Sequence, residues 1–452
     1  MIFLIQYSST SRQFEMKLLR SFMQKTSLIT TLLLLVIFGA NSMGCQSTPN
    51  RKSVVSIVTT QTGYQLLRNG EPYIINGVGG TTHLEKLKEY GGNTIRTWDA
   101  EDIGPFMDQA DELGIAVVVG IWLKHQRHGY DYNDPKIQRE QLKRVEKFVK
   151  MYRNHPALLA WGVGNEVELG GDFDLAIRQI NEASRVIKSL DLDHPTMAVI
   201  AEIGNDKAIR IQEDCPDIDM LGINSYGGMA SVADRAQKQG FTGPFAITEF
   251  GPVGHWETGN SPWGAPYEQP SGAKASFLKN NYERTVQSNL DKNCLGSFAF
   301  LWGNKQEKTA TWYGLLLETG ETTQSVDVLS ELWTGMKPSN YAPVVTKMHI
   351  DADPSSMTKS QQLIVSIDAT DPDYDLLETH WEVIGESIGE SIGGDFEKKI
   401  EPVTAEIDIT GPTSAIITLP KIAGAYRIFA TVRDGNNHAG TVNLPIYITE
   451  NE

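Results

Sequence analysis

From Tyr73 onward, short runs of apolar residues alternate with longer stretches whose apolar positions recur every three or four residues. The apolar runs are Tyr73–Gly77, Thr94–Thr97, Ala116–Trp122, Leu159–Gly164, Thr196–Ala201, Met220–Asn224, Phe245–Thr248 and Ser297–Trp302. Most are continuous rather than alternating, which suits strands covered on both faces. The stretches between them read as helices: Leu84–Tyr90, Ile103–Leu113, Lys136–Arg153, Asp174–Leu190, Val232–Gly240, Ala273–Asn289 and Ser325–Thr334. Eight strands alternating with helices over about 260 residues predict an α/β fold, a (β/α)8 TIM barrel.

The pattern changes after Asn340-Tyr341-Ala342-Pro343. Short Val-, Ile- and Thr-rich segments follow, at Gln362–Ala369, His380–Ile384, Ala415–Leu419 and Gly424–Val432, separated by Gly, Asp and Asn turns. They predict a smaller all-β sandwich over 344–452, joined through a linker at 338–343. Tyr426–Asp434 with Gly435-Asn436-Asn437 resembles the late strands of bacterial immunoglobulin-like domains. The Ile-Gly-Glu-Ser repeat within 384–393 reads as a loop. Ahead of the barrel domain (61–337), Tyr64–Val78 alternates around Asn69-Gly70, a hairpin signal. Residues 45–60 read as a polar linker.

The first 44 residues read as an export signal. Lys25 precedes the apolar run Leu28–Ala40, too short to span a bilayer, which needs roughly 20 apolar residues. Met23 is the natural start of a compact leader of this type. Ser42-Met43-Gly44-Cys45 resembles a bacterial lipobox, although Ser42 departs from the usual branched aliphatic residue. The resemblance implies lipidation at Cys45 and a bacterial membrane partner, facing periplasm or cell surface. Only Cys215 and Cys294 remain after Cys45, each before a different strand, and they read as free buried thiols.

A net charge of −16 disfavours nucleic acid and suits a neutral or basic substrate. Scattered histidines give no metal-ligand spacing, and no cofactor motif is present. Asp368, Asp371, Asp373 and Asp375 could approach a calcium ion, but clustered Asp is ordinary turn chemistry.

The chemistry gathers where strands end. Leu158–Gly164 runs into Asn165-Glu166, and Phe245–Thr248 runs into Glu249. Two carboxyls at the same mouth of a barrel are the equipment of glycoside hydrolysis. A lone Glu at a strand end is most often a solvated surface charge, but a pair at strands four and seven is not. This arrangement resembles the clan A retaining glycoside hydrolases. The resemblance implies Glu166 as acid/base, Glu249 as nucleophile, and Asn165 on the sugar 2-hydroxyl. It also implies Arg96 and Tyr226 beside the nucleophile and Trp302 as a sugar platform. Arg96 has the alternative of pairing with Asp99 or Glu101, and Trp302 that of core packing.

Other rings in loops on this face, Trp98, Trp122, His125, His255, Trp256, Trp263 and Trp312, could stack on sugars or pack as core. Trp122, His125 and Trp256 are the chosen substrate contacts. Glu168 is a rival acid, ranked lower because the likeness is to the Asn-Glu pair.

Gly164-Asn165-Glu166-Val167 is similar to enzymes acting on β-1,3-glucans, family 17 among them, while the barrel entry at Asn69–Gly77 looks like families 2 and 5. The implied function is a retaining β-glucan hydrolase of laminarin type, acting on a polysaccharide or oligosaccharide. A transglycosylase or an exo-β-glycosidase of the same clan is the alternative. A lipoprotein that binds glycans without cutting them is the alternative of another class, and the presence of both Glu residues weighs against it.

Overall fold

The structure, a computed structural model, describes residues 52–387, 389 and 394–450. The leader, Cys45 and half of the Ile-Gly-Glu-Ser repeat therefore lie outside the described residues. No helix among the described residues is long and apolar enough to cross a membrane.

Eight parallel strands close into a barrel: Ile75–Gly79, Thr94–Arg96, Ala116–Ile121, Leu158–Val163, Thr196–Ala201, Met220–Asn224, Phe245–Phe250 and Cys294–Ala299. Two apolar layers explain the continuous runs. Ile75, Val118, Leu159, Met197, Val199, Ala246 and Phe298 fill the interior. Val117, Val119, Trp161, Ile200, Ile223 and Ile247 face the surrounding helices. Strands covered on both faces need no polar side.

The seventh strand departs from simple alternation. Its pairing with the sixth runs in register from Phe245 to Ile247 and then shifts before Glu249 pairs with Asn224. Ile247 faces the helices, so strict alternation would send Glu249 outward as well. The register shift turns it to the mouth, a common use of a bulge beside an active site.

The residues expected to form a linker at 45–60 include a strand. Val55–Thr59 pairs antiparallel with Tyr64–Arg68, which turns back through Glu71–Pro72. Val55 and Leu66 join the interior layer, so this small sheet plugs the N-terminal end of the barrel. The plug is tied to loops at that end, Val55 N–H donating to Asp193 O (2.7 Å) and Arg68 Nη2 to Pro156 O (3.1 Å). A helix after strand five, Lys207–Asp214, was also not expected. The helix expected over Ala273–Asn289 is regular only over Ser271–Asn281 and then widens into a π turn at Tyr282–Val286.

The C-terminal sandwich has a four-stranded sheet (Val344–Ile350, Gln362–Thr370, Ser414–Thr418, Glu406–Gly411) and a three-stranded one (Glu378–Gly385, Gly424–Arg433, Ala439–Ile448). Trp381, Val365, Ile417 and Ile428 lie between them. Asp371 accepts from the backbone N–H groups of Asp373 and Asp375, which is turn chemistry. Its carboxylate also comes within ligand-sharing range of Asp375 and Asp434.

The sandwich is bolted to the barrel. Buried Arg427 donates to Pro266 O (2.8 Å) and to Asn443 Oδ1 (2.7 Å) and pairs with Glu386 (2.9 Å). Asn443 and Thr309 both donate to Oε2 of buried Glu268, while Lys274 pairs with its Oε1.

Candidate active site

Arg96 ends the second strand inside the barrel, 1% exposed, and reaches across it. Its Nη1 donates to Glu249 Oε1 (3.1 Å) and its Nη2 to Asn165 Oδ1 (2.6 Å). The alternative partner Asp99 pairs with Arg144 instead. Trp98 Nε1 also donates to Glu249 Oε1 (2.9 Å), and the Tyr226 hydroxyl donates to Glu249 Oε2 (3.0 Å). Three donors, one cationic, suit the acceptor-only charged form of a carboxylate.

Glu166 sits just past strand four in a left-handed backbone conformation (φ 50°), after Gly164 (φ 72°) has turned the chain. The strand thus ends in a tight turn that a non-glycine residue enters at some cost. Asn224 Nδ2 donates to Glu166 Oε1 (2.9 Å) and to Asn165 Oδ1 (3.2 Å), while Thr248 Oγ1 donates to Asn224 Oδ1 (2.7 Å). Arg96 and Asn224 both donate to the Asn165 oxygen. That fixes the amide and leaves its Nδ2 as a donor for a ligand. Burial, then the nearby Glu249 charge and Glu168, push the Glu166 carboxyl up to about 8. One carboxyl with a raised pKa thus stands beside one that accepts from three donors.

A cavity of about 340 Å³ opens on both carboxyls, lined by Asn165, Trp98, Trp122, Tyr226, Trp256, Phe300, Leu301, Lys305, Glu307 and Gly394. A second, of about 500 Å³, shares Glu166, Tyr226 and Trp256 and continues toward Glu202, Lys207 and Glu257. Trp256, 58% exposed, packs edge-on against Tyr226 between the two.

Two expected contacts lie elsewhere. His125 is buried beneath Trp122, ring to ring at 4.9 Å, with His128 stacked beyond it. Burial, with Arg127 and His128 nearby, lowers its pKa to about 4, so a neutral ring backs Trp122 rather than meeting a ligand. Trp302 is 1% exposed and serves as core: strand eight ends at Ala299, and Trp302 then turns inward, donating through Nε1 to His83 O (3.1 Å). Phe300 takes the place on the cavity wall.

Trp312 is likewise buried, with Nε1 on Val253 O (2.9 Å). Glu168 is tied to Lys207 (3.0 Å) and to the Ala201 N–H (2.8 Å), which removes it as an acid.

Sequence reasoning missed Asn224, Lys305 and Glu307, and it left Trp98 without a role. Asn224 carried a usable signal, since it ends an apolar run as Glu166 and Glu249 do. Lys305 and Glu307 lie in the irregular stretch 300–323, where no periodicity orients a side chain.

Residues 81–271 match the family model described as glycosyl hydrolases family 2, TIM barrel domain. Among curated relatives, the chain is 27% identical over 209 residues to a putative β-glucuronidase of Formosa agariphila, covering 42% of this chain and 18% of that protein. It is 29% identical over 133 residues to a β-galactosidase of an Arthrobacter species, covering 25% of this chain and 13% of that protein. The chain thus spans less than a fifth of either relative's length.

Among solved structures, a Bacteroides uniformis β-glucuronidase aligns with TM-score 0.46 and 15% identity, over 87% of this chain and 48% of that one. A Ruminococcus gnavus β-glucuronidase aligns with TM-score 0.49 and 18% identity, over 62% and 53%. The family match is to family 2, not to the family 17 likeness read from Gly164–Val167. Four residues around a clan-wide Asn-Glu pair are too few to separate families.

Proposed function

We propose that the chain is a retaining glycoside hydrolase acting by double displacement. The observation that carries this reading is the opposed hydrogen bonding of the two buried carboxyls, Glu166 with a single amide donor and its pKa pushed up to about 8, Glu249 held by Arg96, Trp98 and Tyr226. A Glu249 oxygen attacks the anomeric carbon as its bond to the leaving oxygen breaks, and Glu166 gives that oxygen its proton. The glycosyl–Glu249 ester is then opened by water, whose proton returns to Glu166. The Tyr226 and Trp98 donors recover their full hydrogen bonds as the carboxylate is released. Asn165 Nδ2 is free to hold a sugar hydroxyl, and the two cavities flanking Glu166 and Trp256 suit a sugar on one side and its leaving group on the other.

For the substrate, the proposal is a β-glucan. The curated relatives are named for β-glucuronides and β-galactosides instead, so these are the competing substrates. The test incubates the protein and its Glu166→Ala and Glu249→Ala variants with β-1,3-, β-1,4- and mixed-linkage glucans, mannan, and aryl β-galactoside and β-glucuronide. Cleavage with retained anomeric configuration, lost by several orders of magnitude in both variants, is expected. Glycan binding with no product released would replace the hydrolase by a binding protein.

A further inference from the structure

Glu307 lies in the irregular segment after strand eight, 3% exposed, on the wall of the cavity that holds Glu166 and Glu249. Its backbone is fixed by two reciprocal bonds with Thr309, N–H to O at 3.1 and 2.7 Å. One carboxylate oxygen, Oε2, accepts from Lys305 Nζ (2.9 Å). No hydrogen bond from the described residues reaches the other, Oε1. The nearest group that could pair with it, His255 Nδ1, stands 4.0 Å away, and burial holds that ring's pKa at about 4, so it is neutral. Oε1 is not a sealed atom but opens on the cavity, where a ligand hydroxyl can donate to it.

The cations around the cavity are already committed. Lys305 is the one cationic side chain among the described residues lining it. Its Nζ is spent on Glu307 Oε2 and on the carbonyl oxygen of Gly394 (2.7 Å), which the C-terminal sandwich delivers to the site. Arg96 is spent on Glu249 and Asn165. Arg96 and Lys305 thus each already face a carboxylate, and no unpaired cation among the described lining residues awaits an anionic sugar.

We propose that Glu307 sets the specificity of this pocket, receiving a hydroxyl of an uncharged sugar and rejecting sugars that carry a carboxylate or sulfate. The proposal rests on the glycosidase reading and deepens it. A hydroxyl donates where Glu307 Oε1 needs a donor. The carboxylate of a uronate, by contrast, only accepts and brings a like charge toward Glu307. The substrate class is therefore a neutral β-glycoside, in contrast to the β-glucuronide after which one relative is named.

The experiment compares kcat/KM for 4-nitrophenyl β-glucoside, β-galactoside, β-mannoside and β-glucuronide in the full chain and in Glu307→Gln, Glu307→Asp and Lys305→Met. The wild type should favour its best neutral glycoside over the glucuronide by at least ~100-fold. Glu307→Gln should narrow that ratio at least ~10-fold, and Glu307→Asp should restore part of it. Lys305→Met should leave the neutral preference standing, because it removes the cation and keeps the carboxylate. Thermal melts of each variant separate loss of specificity from loss of fold.

A wild type that prefers the glucuronide overturns the assignment of Glu307 and leaves the glycosidase reading intact. If no glycoside is cleaved, calorimetric titration with laminaribiose and with glucuronic acid decides. Binding of the neutral sugar alone, lost in Glu307→Gln, keeps the specificity assignment and sinks the hydrolase. Equal binding of both sugars sinks the assignment too.

Discussion

In the proposed mechanism Glu166 needs its proton to help a leaving group depart, and burial beside Glu249 raises its pKa to about 8. kcat/KM should therefore fall as pH rises through that region, and Glu166→Gln, measured on a substrate with a good leaving group, should lose the alkaline limb. Stability moves the same way. The folded-state pKa is raised above the ordinary 4.5, so the native state binds more protons than the unfolded chain between these values and loses stability as pH climbs through them. Glu166→Gln should then melt higher than wild type at pH 9, by an amount on the order of a few degrees, and differ little at pH 4. On the other carboxyl, Tyr226→Phe and Trp98→Phe each remove one donor from Glu249. Each should lower kcat by roughly 10- to 1,000-fold in steady-state assays, with folding intact by circular dichroism. The two Glu residues were legible in the sequence because each closes an apolar run, which places it at a strand end. His125 was misread because a ring outside a periodic segment carries no sign of which way it turns, and Trp302 because the strand expected to carry it ends at Ala299.

At the scale of elements, the strands could be read to within a few residues because each is short, apolar and bounded by a helix pattern. What the pattern could not show is a register shift. The bulge that aims Glu249 depends on pairing between strands six and seven, a property of neither segment alone. Val55–Thr59 was missed for a related reason: a five-residue strand with Ser and Thr looks like linker until its partner is known. The helix Lys207–Asp214 buries only Ala208 and Ile211, too little for a period to stand out. Close strand packing also makes a prediction. A β-carbon on Gly120 would collide with the backbone of Thr97 and Trp98, where strand two leaves the barrel. Gly120→Ala should cost roughly 1–3 kcal/mol in denaturant unfolding and move the Trp98 indole off Glu249, so activity falls further than stability alone explains.

For the whole molecule, the barrel and sandwich share buried polar groups that neither satisfies alone. Arg427 is 2% exposed and bridges Glu386, Asn443 and the barrel's Pro266 carbonyl, so Arg427→Ala strands a buried carboxylate. It should lower stability by about 3–5 kcal/mol. Calorimetry should show one unfolding transition for both parts rather than two, since removing the sandwich leaves Glu268 without the Asn443 amide and Lys305 without its Gly394 partner. The presence of two folds was legible from the change in periodicity after Pro343. Their mutual dependence was not, because it rests on single polar residues scattered over 180 positions of sequence.

The plug at the barrel's N-terminal end has a practical consequence. Val55 enters the fold beside Asp193 and the loops at that end, whereas Glu166 and Glu249 open at the opposite one. A bead or dye coupled at Lys52 would therefore sit at the end away from Glu166 and Glu249, leaving their cavity open, and the same coupling on the loop that carries Trp256 would block it.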